Sequence, residues 1–150
     1  MKKFRFRLET LLKFRKMEEE QAQIKMTEAS MRLYKEQEFL NQFQNKLLGS
    51  LTLLSEEHAG SPTIETLKTF SYYIDKIKKD IIFQQEQIVK AEAYRQECLV
   101  VLEAAMKQRK LVDNLRKKQL EQYNIELLQD EQKVLDELGT QAFMRNKESE

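Results

Sequence analysis

Residues 12–54 read LKFRKMEEEQAQIKMTEASMRLYKEQEFLNQFQNKLLGSLTLL. Taken in sevens from Leu12, the stretch gives Glu19, Met26, Leu33, Leu40, Leu47 and Leu54. The companion positions, four residues earlier in each heptad, are Leu8, Arg15, Ala22, Ala29, Glu36, Phe43 and Ser50. Alternating steps of four and three hold an apolar stripe on one side of a helix whose effective period is near 3.5 residues. No proline or glycine breaks the pattern before Gly49. A helix with one narrow apolar stripe needs a partner to cover it.

The second half of the chain supplies the partner. Its stripe runs Leu67, Phe70, Ile74, Ile77, Ile81, Gln84, Ile88, Ala91, Arg95, Cys98, Leu102, Ala105, Arg109 and Val112. Two successive steps of four, through Arg116 to Leu120, then mark a stutter, and Tyr123, Leu127, Val134 and Leu138 carry the pattern onward. Between the halves lies Gly60-Ser61-Pro62-Thr63, the one strong punctuation. Gly60 suits a helix end, Ser61 a cap and Pro62 the first turn of the next helix.

The sequence therefore predicts an all-α fold: two long helices in an antiparallel coiled-coil hairpin, forming a single coiled-coil domain over residues 1–150. Helix one is expected over about 4–58, the turn over 59–61 and helix two over about 62–140, with a frayed tail at 141–150. The expected seam includes Leu12, Met26, Leu33, Leu40, Phe43 and Leu47, against Phe70, Ile74, Ile77, Ile81, Ile88 and Leu102. Folding back at 58–60 makes the numbers of facing residues add to about 117, which sets Ala29 against Ile88 and Leu12 against Ala105. A slip of one heptad, to about 124, would set Arg15 against Arg109, so the first register is preferred. It exhausts helix one near residue 113, beyond which helix two projects alone.

Composition agrees with long helices. Of 150 residues, 34% are charged and 41% hydrophobic, with 3 Gly, 1 Pro and no Trp. With 26 basic and 25 acidic residues, net charge points to no polyanionic partner. Cys98 is the only cysteine, which fits a reducing compartment. No window of 18 uninterrupted apolar residues exists, and the N-terminus lacks the apolar core of a secretory signal, so the expected location is the cytoplasm.

Catalytic chemistry is missing from the pattern. His58 is the single histidine, and Glu56 and Glu57 beside it leave a metal without a third fixed ligand. Three glycines build no phosphate loop, and Cys98 sits on the apolar stripe. The chain is read as a non-enzyme without cofactor or metal.

Charge is more informative. Lys2, Lys3, Arg5, Arg7, Lys13, Arg15 and Lys16 crowd the start of helix one. Folding back brings them alongside Lys107, Arg109, Lys110, Arg116, Lys117 and Lys118. Such an end can dock electrostatically on an acidic protein surface. Nucleic acid fits less well, because few aromatic residues are available for stacking. A second surface is marked by Tyr72, Tyr73, Ile82 and Phe83, which lie off the seam.

The opening Phe4-Arg-Phe-Arg-Leu-Glu-Thr-Leu-Leu-Lys-Phe-Arg and the following Glu18-Glu-Glu-Gln-Ala resemble the start of the flagellar FliJ proteins. The mid-chain aromatic segment and Lys133-Val-Leu-Asp-Glu-Leu-Gly-Thr-Gln-Ala-Phe-Met-Arg extend the resemblance over nearly the whole chain. It implies a non-enzymatic component of the bacterial flagellar type III protein export apparatus, at the cytoplasmic face of the membrane. Such a coiled-coil stalk binds the hexameric export ATPase FliI and the export gate protein FlhA, couples the two, and assists export chaperones. The family's gate-binding series falls on Tyr73, Ile77, Asp80 and Gln84, the last two departing in type from the family's Ala and His. Lys3, Arg5, Arg7, Lys13, Lys110, Lys117 and Lys118 form the basic tip expected to face the ATPase ring. The alternatives from residues alone are a generic homodimeric coiled-coil scaffold and a peripheral membrane-binding adaptor using the basic N-terminus.

Overall fold

Two helices carry nearly all of the chain, α1 over Glu9–His58 and α2 over Ile64–Glu148. The computed structural model describes residues 2–58, 60 and 63–149, the side chains of Glu57 and His58 excepted. The fold is all-α, with the two helices packed on one another and the second the longer. The chain divides into two units, one of Glu20–Ala104 and one of Met1–Glu19 with Ala105–Glu150.

In the Glu20–Ala104 unit the seam is narrow. Ala22, Ala29, Leu33 and Ser50 are buried on α1, and Ile74, Ile77, Gln84, Ala91, Cys98 and Leu102 on α2. Half of these are Ala, Ser or Cys, which let two backbones approach closely around the few branched side chains. Met26, Leu40, Phe43, Leu47, Phe70, Ile81 and Ile88 are half-buried at its margins. The polar members are satisfied. Ser50 donates to the Lys46 carbonyl at 2.8 Å, and Gln84 Nε2 donates across the helices to the Glu36 carbonyl at 2.9 Å and to its carboxylate. Arg95 Nε reaches Ser30 Oγ at 3.2 Å. As the partner number on α1 falls from Glu36 to Ser30, that on α2 rises from Gln84 to Arg95, so the pairing is antiparallel.

α2 starts two residues later than the expected position 62. Its cap is Thr63, whose Oγ1 accepts the Thr66 backbone N–H at 3.3 Å and lies 2.7 Å from Thr66 Oγ1. The expected cap Ser61 and first-turn Pro62 lie outside the described residues. At its other end α2 continues to Glu148, beyond the expected limit near 140, with Arg145 and Lys147 in the last turn, where cations complement the helix dipole.

In the other unit the pairing is again antiparallel. Arg109 Nε bonds the Glu19 carboxylate, Arg116 Nε bonds Glu9 at 3.2 Å, and the Tyr123 hydroxyl donates to the Lys2 carbonyl at 2.8 Å. Most of these partners, and Ser30 with Arg95, lie close to the register of about 124. The expected register of about 117 is not the one formed. The two arginines whose like charge disfavoured the alternative are each paired with acidic residues. Arg15 turns to Glu18 at 2.8 Å, while Arg109 takes Glu19 and stands 4.0 Å from Asp113.

The beginning of the chain also departs from expectation. Residues 2–6 are not helical, and α1 begins at Glu9, after a turn in which Glu9 N–H donates to the Phe6 carbonyl at 3.3 Å. Phe4 is half-buried and Phe6 buried, while Lys3, Arg5 and Arg7 are exposed. An alternation of period two suits extended backbone, in which every second side chain shares a side. A helix would set Phe4 and Phe6 on opposite faces and leave one ring in water. The non-helical segment buries Phe6 and half-buries Phe4. Phe4 packs on Tyr123 with ring centroids 5.6 Å apart and planes tilted by 50°.

This clasp carries the cover on α2 well past position 113. Val112, Arg116, Leu120, Tyr123 and Leu127 are all half-buried, following the stutter, and every described residue from Leu128 to Ser149 is exposed.

Candidate interaction surfaces

The end-of-chain unit holds all seven residues of the expected basic tip. Lys3, Arg5 and Arg7 lie on the non-helical segment and its turn, Lys13 on α1, and Lys110, Lys117 and Lys118 on α2; all are exposed. Lys117 stands 3.4 Å from Asp113, and the other six have no ion pair among the described residues. Arg15, Arg109 and Arg116, also basic by sequence, are half-buried and bound to Glu18, Glu19 and Glu9. The structure thus sorts the cations into two groups. One locks the helices together, and the other faces solvent.

The four positions of the gate-binding series do not share a surface. Tyr73 is 47% exposed, Asp80 is half-buried, and Ile77 and Gln84 are buried at 4% and 6%. Ile77 belongs to the seam and Gln84 is engaged by Glu36. What α2 offers to solvent in this region is Tyr72, Tyr73 and Phe83, with Lys76 among them by helical spacing. Ile82, also exposed, lies on the opposite side by the same spacing. Thr63, Glu65, Thr66, Thr69, Phe70 and Tyr73 line a shallow concavity over the first turns of α2.

Chemistry-bearing groups are few. No group of three or more His, Cys, Asp or Glu among the described residues is placed to hold a metal ion. Cys98 is buried. The Tyr94 phenol is pushed above its ordinary value chiefly by a hydrogen bond to Cys98, and that of Tyr34 by a hydrogen bond to the Glu38 carboxylate. His58 lies outside the described side chains. No helix is long and apolar enough to cross a membrane.

Sequence reasoning missed the polar residues that tie the helices, and its own stripes held the signal. Glu19 and Glu36 interrupt the apolar series of helix one; Gln84 and Arg109 interrupt that of helix two. Two intruders on each helix meet across the seam, Glu36 with Gln84 and Glu19 with Arg109, whereas Arg15 turns to Glu18 on its own helix and Arg95 to Ser30. Matching polar with polar favours a register displaced from about 117 toward about 124.

The family model described as "Flagellar FliJ protein" matches residues 4–148. A solved structure of CT670 from Chlamydia trachomatis, assigned there as a YscO homolog, shares the fold with a TM-score of 0.58 at 18% identity. The match covers 99% of this chain and 100% of that one. No curated protein matches.

Proposed function

This chain belongs to the flagellar FliJ family, a family of non-enzymatic flagellar export components, and from that premise we propose that it acts as a coiled-coil stalk between the hexameric export ATPase and the export gate. Its place is the cytoplasm, peripheral to the membrane at the flagellar base. The observation that carries the reading is the sorting of cations in the end-of-chain unit. Six exposed basic side chains, Lys3, Arg5, Arg7, Lys13, Lys110 and Lys118, have no ion pair among the described residues, while Arg109 and Arg116 hold the helices together.

A stalk that works inside a ring must bind without locking. Exposed ionic contacts are individually weak, about 0–1 kcal/mol each, so several of them give attraction that can be made and broken as the ring changes state. The exposed extension of α2 continues from the same unit and accompanies the basic tip toward the ATPase. For the gate, Tyr73 with Tyr72 and Phe83 forms the contact, since Ile77 and Gln84 are engaged in the seam. Export chaperones meet the same stalk.

Replacing Arg5, Arg7, Lys117 and Lys118 together by Glu tests the assignment. The variant should retain its helicity and lose capture of the export ATPase and stimulation of its hydrolysis. Wild-type capture and stimulation would overturn it.

A further inference from the structure

We propose that residues 128–145 of α2 pair with the same segment of a second copy of this chain, antiparallel and about a two-fold axis. The inference is independent of the stalk reading. It also differs from a homodimer built on the main seam, which α1 and α2 already close within one chain.

The segment is a helix with an uncovered stripe. Leu128, Glu131, Leu135, Leu138, Ala142 and Arg145 follow one another in alternating steps of three and four, the spacing of a coiled-coil face. All six are exposed, Leu128 at 64%, Leu135 at 61% and Leu138 at 56%. The stripe adjoins the existing seam, whose last half-buried member is Leu127. Among the described residues the N-terminal segment reaches Tyr123 through Lys2.

The two charges on the stripe identify the occupant. Glu131 and Arg145 sit toward opposite ends of the stripe, and neither makes an ion pair among the described residues. When two copies run antiparallel with Leu135 on the partner's Leu138, the same layer recurs by symmetry. Glu131 then lies against the partner's Ala142, whose small side chain leaves room for the carboxylate. The partner's Arg145 is one turn away, within reach of Glu131, and its aliphatic stem covers Leu128. Both Glu131–Arg145 pairs form at once. A parallel pair would oppose Glu131 to Glu131 and Arg145 to Arg145, so the charges select the antiparallel arrangement. The interface is isologous and closes on itself, giving a dimer and not a fibre.

Three leucines and an alanine per copy make a smaller face than the roughly 800 Å² per partner of a stable complex. The dimer is therefore weak and concentration-dependent.

Sedimentation of the full chain from about ten micromolar to about one millimolar reads the equilibrium. The wild type should pass from monomer toward dimer across that range. Glu131→Arg and Arg145→Glu should each raise the dissociation constant at least about tenfold, since each creates two like-charge contacts. An equimolar mixture of the two variants should associate again, because all four charges are then complementary between unlike copies. The double variant should dimerise as the wild type does. A wild type that stays monomeric throughout, single variants that associate unchanged, or a mixture that fails to recover would overturn the proposal. Far-UV circular dichroism confirms that each variant keeps its helicity.

Discussion

Gln84 on α2 donates from Nε2 to the main-chain carbonyl of Glu36 on α1 at 2.9 Å and also reaches the Glu36 carboxylate. Gln84 is 6% exposed, so this is a buried polar tie across an otherwise small-residue seam. Such a tie contributes little net stability, because the groups were hydrogen-bonded to water before folding. It contributes specificity, because a slipped register would leave the amide buried without a partner.

Gln84→Leu separates these effects. The expected change in unfolding free energy is within about 1 kcal/mol, the lost hydrogen bond being offset by apolar burial. Register should suffer more. Spin labels at the exposed positions 32 and 94, with Cys98 replaced by Ala, should give one sharp distance in the parent and a broadened or doubled one in the variant. An unchanged distribution would remove Gln84 as a register determinant.

Arg109 and Glu19 are about three-quarters buried by side chain, at 24% and 23% exposure, so their pair is less screened than a surface bridge. Arg109→Glu sets a third carboxylate beside Glu19 and Asp113. It should destabilise the chain by about 1–2 kcal/mol in urea denaturation. Glu19→Arg combined with Arg109→Glu should recover part of that loss. Strict additivity of the two single changes would show that the pair contributes no coupling.

Tyr123 holds the N-terminal segment by its ring on Phe4 and its hydroxyl on the Lys2 carbonyl. Tyr123→Phe keeps the first contact and removes the second, a loss of about 0.5–1 kcal/mol confined to the clasp. Global unfolding should hardly move, whereas tryptic cleavage at Lys3, Arg5 and Arg7 should accelerate. Tyr123→Ala should accelerate it further. Equal cleavage rates in all three proteins would mean that the clasp does not protect the segment.

Gly49 and Gly139 both lie inside helices, and a Cβ at either position meets nothing within 4 Å. Alanine at each should favour the helix by about 1 kcal/mol. Gly49→Ala is read in the midpoint of denaturation. Gly139→Ala, in the uncovered part of α2, is read as slower local hydrogen exchange around residue 139.

The heptads made the two-helix architecture legible, and Leu12, Ala22, Ala29, Leu33, Ile74, Ile77, Ala91, Cys98 and Leu102 are buried where those heptads put them. The register was not legible from the same stripes, because an apolar pattern that repeats every seven residues is nearly indifferent to a slip of seven. What separates the alternatives is the placement of its polar exceptions. The opening was misread for a related reason: Phe4 and Phe6 alternate at period two over too few residues to outweigh the helical signal from Leu8 onward. Exposure of Lys13, Lys110, Lys117 and Lys118 follows from their places off the two stripes, whereas Arg109, on its stripe, is half-buried. The series Tyr73, Ile77, Asp80 and Gln84 has the spacing of the seam itself, so only packing decides which members face outward.

The non-helical backbone at residues 2–6 also arranges its charges. Lys3 and Arg5 rise from non-helical backbone, exposed on either side of the half-buried Phe4 and ahead of the buried Phe6, and Arg7 follows in the turn. A helical start would have wound the same charges around a cylinder. Here each exposed cation is flanked by a ring that the protein covers, so the rings anchor the charges that stand between them.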